Sequence, residues 1–207
     1  AAANFTIHIS GNGGHASQPH ETTDALVAAC AVVTALQSVV SRRIDPAQLS
    51  VVSVTELHSD GTRNAIAGSA TIIGDTRSFD PAISLAIETA MARVIKGTAA
   101  AHGCTAEFDY TREFVPTIND PLLTNPVVEA AKAANPNGHV NDNCDRIGGS
   151  EDFAQLTSKV PGNFVFLGNG ESAALHNASY DFNDAALPYG VAYFAEVAKA
   201  RLPASGA

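Results

Sequence analysis

No tryptophan, one methionine and only three cysteines occur in the 207 residues of this chain. Cys30, Cys104 and Cys144 are odd in number and widely spaced, which fits reduced thiols in a cytoplasm better than a disulfide framework or a four-cysteine zinc site. The compartment expected is therefore cytoplasmic. Charge is scarce too: Asp, Glu, Lys and Arg make up 16% of the chain, against roughly 25% in an average soluble protein. Twelve basic against 21 acidic residues leave a net charge of -9, the wrong sign for tracking phosphates, and Lys and Arg nowhere form a run. Nucleic acid is not an expected partner. The most apolar stretch, residues 25–36, falls short of the roughly 20 residues that cross a bilayer and lies inside a helical pattern, so no membrane partner is expected. Residues 1–5 show no basic segment ahead of an apolar run, hence no visible secretion signal.

What is present is an ordinary globular share of apolar residues, 45%, in a length that suits one large domain or two small ones. Residues 4–10 alternate, with Phe5, Ile7 and Ile9 on one side and Thr6, His8 and Ser10 on the other, which predicts a half-buried strand. After Pro19, the spacing of Leu26, Cys30, Val33, Leu36 and Val40 predicts the apolar stripe of a helix ending near Arg43. Residues 49–57 and 69–77 read as strands of a hairpin, with Asp60-Gly61 in the turn region. Asp80-Pro81 is an N-cap with proline at the first helical position, and Ile83, Ile87, Met91 and Val94 continue at helical spacing toward Gly103. Residues 104–111 alternate again. The order strand, helix, strand, strand, helix, strand (βαββαβ) is the split βαβ pattern of a ferredoxin-like sandwich, so the fold class expected is α+β.

Beyond Pro116 the texture changes to a helix at 121–134, an Asn/Gly/Pro-rich loop, a short helix after Ser150, an apolar strand at 164–167 and a last helix at 184–202. One strand cannot bury that many apolar helix faces, so this segment is expected to need strands from elsewhere.

Gly11-Asn-Gly-Gly-His-Ala16 follows a strand and satisfies the dinucleotide fingerprint G-x-G-x-x-A. That fingerprint also needs a helix to open at once and an acid roughly 20 positions on; Pro19 interrupts the first, and residues 31–36 lack the second. The turn at Gly148-Gly149-Ser150 is not a G-x-S-x-G elbow, and no spacing nominates a serine nucleophile. None of the seven histidines forms H-E-x-x-H. His8, His102 and His139 read as solvated surface residues, and His58 as either a structural hydrogen bond or a substrate contact. His15 and His20 bracket a turn too polar and glycine-rich for the core. His176, with Asp181 and Asp184 downstream, has the look of a metal ligand, and a capping or surface histidine would look the same.

Taken together, Gly11-Asn-Gly-Gly-His15-Ala-Ser-Gln-Pro-His20, Thr62-Arg-Asn64-Ala-Ile, Arg77-Ser-Phe-Asp80, Gly149-Ser-Glu151-Asp-Phe153 and Leu175-His176-Asn177 through Asp184 occur in the order found in one family. The sequence resembles the aminoacylase and carboxypeptidase type of metallopeptidase, particularly its hippurate hydrolase and auxin-conjugate amidohydrolase branch. The resemblance implies that residues 1–115 are a ferredoxin-like lid that also makes a homodimer. It implies that residues 116–207 are the C-terminal part of an α/β catalytic domain holding two divalent cations, usually zinc. It gives His176 the role of metal ligand, His15 and Asn64 the task of holding the scissile carbonyl in a neighbouring subunit's site, and Arg77 a substrate carboxylate. His20, Gly149, Ser150 and Glu151 fall where they can line the substrate pocket, although loop geometry accounts equally for the last three.

The activity implied is hydrolysis of the amide bond of N-acyl amino acids by water activated at the cations. The remaining family ligands and the general base lie upstream of the lid in the family pattern. The missing N-terminal half of the catalytic domain is therefore an expected partner, and the isolated chain is expected to be metal-free and inactive, since one imidazole cannot hold a catalytic zinc. Ala67 stands where the family usually has proline. The alternative is a non-catalytic dimerisation module.

Overall fold

The computed structural model describes residues 1–202. Alternation in the sequence becomes β1 (Ala2–Ser10), followed by β2 (Gly14–His15) and a single 3-10 turn at Pro19–Glu21. Asp24 then caps α1 (Ala25–Arg43), its carboxylate accepting from the backbone N–H of Leu26 and Val27 at 2.9 and 3.0 Å. Two of the orphan donors of the first helical turn are met in this way. Next come β3 (Ser50–Ser59), β4 (Ala65–Ile66) and β5 (Ser69–Ser78), then α2 (Pro81–Ala101), capped by Asp80 through Ala82 N–H at 2.7 Å. Gly103, with φ 71°, turns the chain into β6 (Thr105–Phe114).

The main sheet has the order β3-β5-β1-β6, and every neighbouring pair is antiparallel. One face is covered by α1 and α2, which also pack on each other. Phe5, Ile7, Ile9 and Ile72 from the sheet meet Val32, Leu36, Val39, Ile87, Met91 and Ile95 from the helices, all of them fully buried. Burying side chains of this size contributes about 1.5–3 kcal/mol each. The other face carries the alternate residues, including Asn4, His8, Thr71 and Glu107. Gly74 sits under the Phe5 ring and against the Ser53 carbonyl, where any Cβ would collide with both.

Two expectations for α1 need correction. The buried stripe is Ala25, Ala28, Ala29, Val32, Leu36 and Val39, while Leu26 and Cys30 are exposed and Val33 and Val40 are half-buried. The helix is rolled so that alanines face the sheet, because small side chains let its axis approach closely. The apolar run also continues past Leu36: α1, at 19 residues and mean hydropathy 1.7, is long and apolar enough by length and composition to cross a membrane. Its inner face instead packs under the sheet as a core helix. The hairpin expected of β3 and β5 forms, but its connection is not a simple turn, because β4 lies within it and pairs with β2.

Contacts divide the chain into two compact units. The first comprises residues 1–116 together with 148–154, and the second residues 117–147 together with the chain from Gln155 onward. In the second unit, Asp120 caps α3 (Pro121–Ala134), which packs on α5 (Leu187–Arg201); the short α4 (Ala154–Thr157) begins at the last residue of the first unit. The strand expected at 164–167 is not formed among the described residues. The side chain of Asn119 takes the place of a neighbouring strand, accepting from Phe164 N–H at 2.7 Å and donating to its carbonyl at 2.9 Å. Leu122, Phe166 and Phe194 are 86%, 64% and 70% exposed, and Ala130 and Ala186 are the buried apolar residues of this unit among those described.

Candidate active site

The glycine-rich segment after β1 does not open a helix; it folds back on the chain between β3 and β5. Gly11 N–H donates to the Gly68 carbonyl at 2.8 Å, Gly14 pairs with Ile66 and His15 with Ala65, and Ala16 N–H donates to the Asn64 carbonyl at 3.0 Å. Gly13 makes this approach possible: its φ is 21°, and a Cβ there would stand 2.8 Å from the Ile66 carbonyl oxygen and 2.9 Å from the Gly68 nitrogen. The other side of the loop is fastened by Asn12, whose Oδ1 accepts from the N–H and hydroxyl of Thr23. His15 thereby lies on a two-stranded ribbon opposite Ala65, with Asn64 in the turn just before that strand, and both His15 and Asn64 are exposed.

The His15 ring is itself held. Its Nδ1 lies 3.2 Å from the Ser17 backbone nitrogen and 2.8 Å from the Ser17 hydroxyl. Among the described residues neither its Nε2 nor the side-chain amide of Asn64 has a hydrogen-bond partner. An imidazole and an amide, groups of the kind that stabilise negative charge on a carbonyl oxygen, are thus both exposed at this loop. His20 follows on the 3-10 turn, with its Nε2 3.9 Å from Glu21 and both side chains largely in solvent.

Arg77 lies on the open face of β5, where the two-residue period places Asp75 beside it. Its Nε donates to Asp75 Oδ2 at 2.5 Å, and Nη1 donates to the Ser150 hydroxyl. Residues 148–154 thus bring Ser150 to the arginine within the first unit. Glu151 accepts from Phe153 N–H at 3.3 Å, a loop-capping contact, and Gly149 is exposed beside it.

The two groups stand at opposite ends of the sheet. The ribbon leaves it where Ser10 pairs with Ser69, whereas Arg77 pairs with Ala2 at the far end. At about 3.3 Å per residue along β5, the separation is about 26 Å.

His176 belongs to the second unit, at the tip of a loop whose base is tied by Asn169, which donates to the Asp181 carbonyl and accepts from Asn183 N–H, each at 2.8 Å. Its φ of 67° makes it the one non-glycine among the described residues in the left-handed region. Such a conformation costs of order 1–3 kcal/mol and persists where surrounding structure enforces it, often at functional positions. Asp181 and Asp184 line a polar recess with Glu171 and Asn183 that His176 does not line. No three His, Cys, Asp or Glu side chains among the described residues gather so as to hold a metal ion. A two-cation centre does not fit the described groups of this chain by themselves.

His15 and Arg77 stand out in the sequence, whereas the residues that hold them, Ser17 and Asp75, do not. For Asp75 the signal was present, since residues two apart on a strand share a face; the contact of Ser17 depends on the turn that follows His15. His58, left open between structure and substrate, bonds to Glu56 at 2.8 Å.

An antiparallel sheet backed by two helices, with an exposed imidazole on a loop ribbon at one end and a guanidinium at the other, defines a mixed α/β protein. Residues 4–200 match the model of peptidase family M20/M25/M40, and the chain belongs to that family. It is 35% identical over 195 residues to N-acetylcysteine deacetylase of Bacillus subtilis, covering 94% of this chain and 50% of that protein. It is 32% identical over 187 residues to N-acetyldiaminopimelate deacetylase of a Geobacillus species, covering 90% and 49%. Among solved structures, the YXEP protein of Bacillus subtilis, described as a dinuclear metal-binding peptidase from the M20 family, superposes with a TM-score of 0.77 at 28% identity, covering 96% and 49%. The chain spans about half the length of the curated relatives it matches.

Proposed function

We propose that this chain supplies the ferredoxin-like lid and the C-terminal catalytic segment of a cytoplasmic metal-dependent amidohydrolase acting on N-acyl amino acids, in the hippurate hydrolase and auxin-conjugate branch of its family. The observation that carries this reading is the ribbon that pairs His15 with Ala65 and ties Ala16 N–H to the Asn64 carbonyl, with His15 Nε2 and the Asn64 side-chain amide both without a partner among the described residues. During amide hydrolysis the carbonyl oxygen gains negative charge, and in this reading His15 Nε2 and Asn64 Nδ2 donate to it. Arg77 takes the substrate carboxylate through its fork, with Asp75 fixing the plane of the guanidinium and the Ser150 hydroxyl giving way. His20, Gly149 and Glu151 line the substrate approach. Because about 26 Å of sheet separates the ribbon from Arg77 in one copy, the carbonyl-holding and carboxylate-holding groups act together across a homodimer.

His176 is the one metal ligand this chain contributes; two divalent cations, zinc by preference, belong to the complete enzyme. The exposed apolar side chains of the second unit and the doubled length of the relatives support a completing polypeptide. The deacetylase relatives favour a small acyl group. Assay of the chain alone against N-acetyl amino acids and hippurate, with and without added zinc, is expected to give no turnover. Turnover that disappears in His176→Ala would refute the reading. In the completed enzyme, His15→Gln or Asn64→Ala is expected to lower kcat roughly a hundredfold to a thousandfold. A completed protein that binds no zinc and turns over nothing is a dimerisation module instead.

A further inference from the structure

Resting on the role proposed above for His15, we propose that Ser17 is a positioning residue that fixes the tautomer of that imidazole, with the proton on Nε2. Two groups of Ser17 converge on Nδ1, the backbone N–H at 3.2 Å and the hydroxyl at 2.8 Å. A backbone N–H only donates, so Nδ1 must offer its lone pair; a proton there would point at the amide proton. The hydroxyl rotates freely and joins as a second donor. A neutral imidazole has a single N–H, which leaves it on Nε2, the nitrogen without a partner among the described residues.

The consequence is chemical. With its proton on Nε2 the ring donates outward, as a developing oxyanion requires; in the other tautomer the outward nitrogen presents a lone pair and repels that charge. Local geometry makes the arrangement a property of the turn. Gln18 N–H donates to the His15 carbonyl at 2.9 Å, which folds residue 17 back over the ring, and Ala16 N–H anchors the same turn to Asn64 at 3.0 Å. One turn therefore sets where the imidazole stands and which nitrogen donates.

Two-bond 15N imidazole spectra of the full 15N-labelled chain, recorded at about pH 8.5, where an ordinary imidazole is neutral, test this. The His15 signals are assigned by their loss in His15→Gln, and exposed His139 serves as the freely exchanging reference. The expected result is an Nε2–H form at His15 against a tautomer average at His139. Ser17→Ala keeps the backbone donor and loses the hydroxyl, so the Nδ1–H share at His15 is expected to rise about fivefold, the size of one net hydrogen bond. Ser17→Thr is expected to restore it, with Ala16 amide protection unchanged in both variants.

A His15 ring with the proton on Nδ1, or with the average seen at His139, overturns the proposal. So does a Ser17→Ala spectrum identical to the parent. The two roles fail separately: a wrong tautomer removes the role of Ser17 and leaves that of His15 to its kinetic test, whereas an unchanged kcat in His15→Gln removes the carbonyl-holding role and leaves the tautomer standing.

Discussion

Gly13→Ala should detach the His15 ribbon without unfolding the sheet that bears it. The added methyl would lie 2.8 and 2.9 Å from two backbone atoms, the Ile66 carbonyl oxygen and the Gly68 nitrogen, neither of which moves without shifting the main chain that links β4 to β5. Forcing a Cβ into a well-packed place costs about 1–3 kcal/mol, and a positive φ adds about 1–2 kcal/mol for a residue other than glycine. Against that total of about 2–5 kcal/mol stand the bonds from Gly11 N–H to Gly68 and from Ala16 N–H to Asn64 and the short β2–β4 ladder. At about 1 kcal/mol net for each hydrogen bond, these hold the ribbon closed by a similar amount. The penalty therefore cancels local closure, while the core around Phe5, Ile7 and Met91 is untouched. Amide hydrogen exchange reads this directly: protection at Ala16 should fall about thirtyfold or more, the equivalent of about 2 kcal/mol, with Ile7 keeping its own. Unchanged protection at Ala16 would refute the steric argument. Equal losses at Ala16 and Ile7 would show that the ribbon is no separate unit.

Gly97→Ala is expected to have the opposite sign. Gly97 lies within α2 with nothing within 4 Å of an added Cβ, so alanine should stabilise the first unit by about 0.5–1 kcal/mol in denaturant titrations. Asp60 sits where β3 leaves the sheet, and the hydrogen bond from Ser69 N–H holds its carboxyl below the usual carboxylate range. Its contribution is thus present above the ordinary carboxylate pKa and lost as pH falls through the depressed value. Carboxyl NMR should place the Asp60 midpoint below the usual carboxylate range, and Asp60→Asn should remove the low-pH loosening of the Ser69 amide. In limited proteolysis of the isolated chain, cuts are expected first within residues 117–202, where Leu122, Phe166 and Phe194 lie exposed, and last in the β1–β5–β6 sheet.

Local chemistry in the sequence was enough for most of the first unit. Alternation in β1 and β6, the Asp80-Pro81 cap and the stop at Gly103 are set by neighbours a few residues away, and the structure places those elements within a few residues of the expected bounds. The roll of α1 was not legible, because leucine and valine at helical spacing outweigh alanine in hydropathy while close approach to a sheet favours alanine. Nor was the fate of residues 164–167, where apolar residues favour a strand but no strand among the described residues lies alongside to pair with them.

The same division holds for the site. By itself the sequence determined which residue types were available, an imidazole on a glycine loop, an amide after Arg63 and a guanidinium on a strand, since their spacing and company mark them out one by one. Only the tertiary structure decided that the loop carrying His15 pairs with the segment that follows Asn64, and that Arg77 stands at the sheet's far end. Those facts follow from hydrogen bonds between segments far apart in the chain, and no local pattern records which distant backbone a loop will pair with.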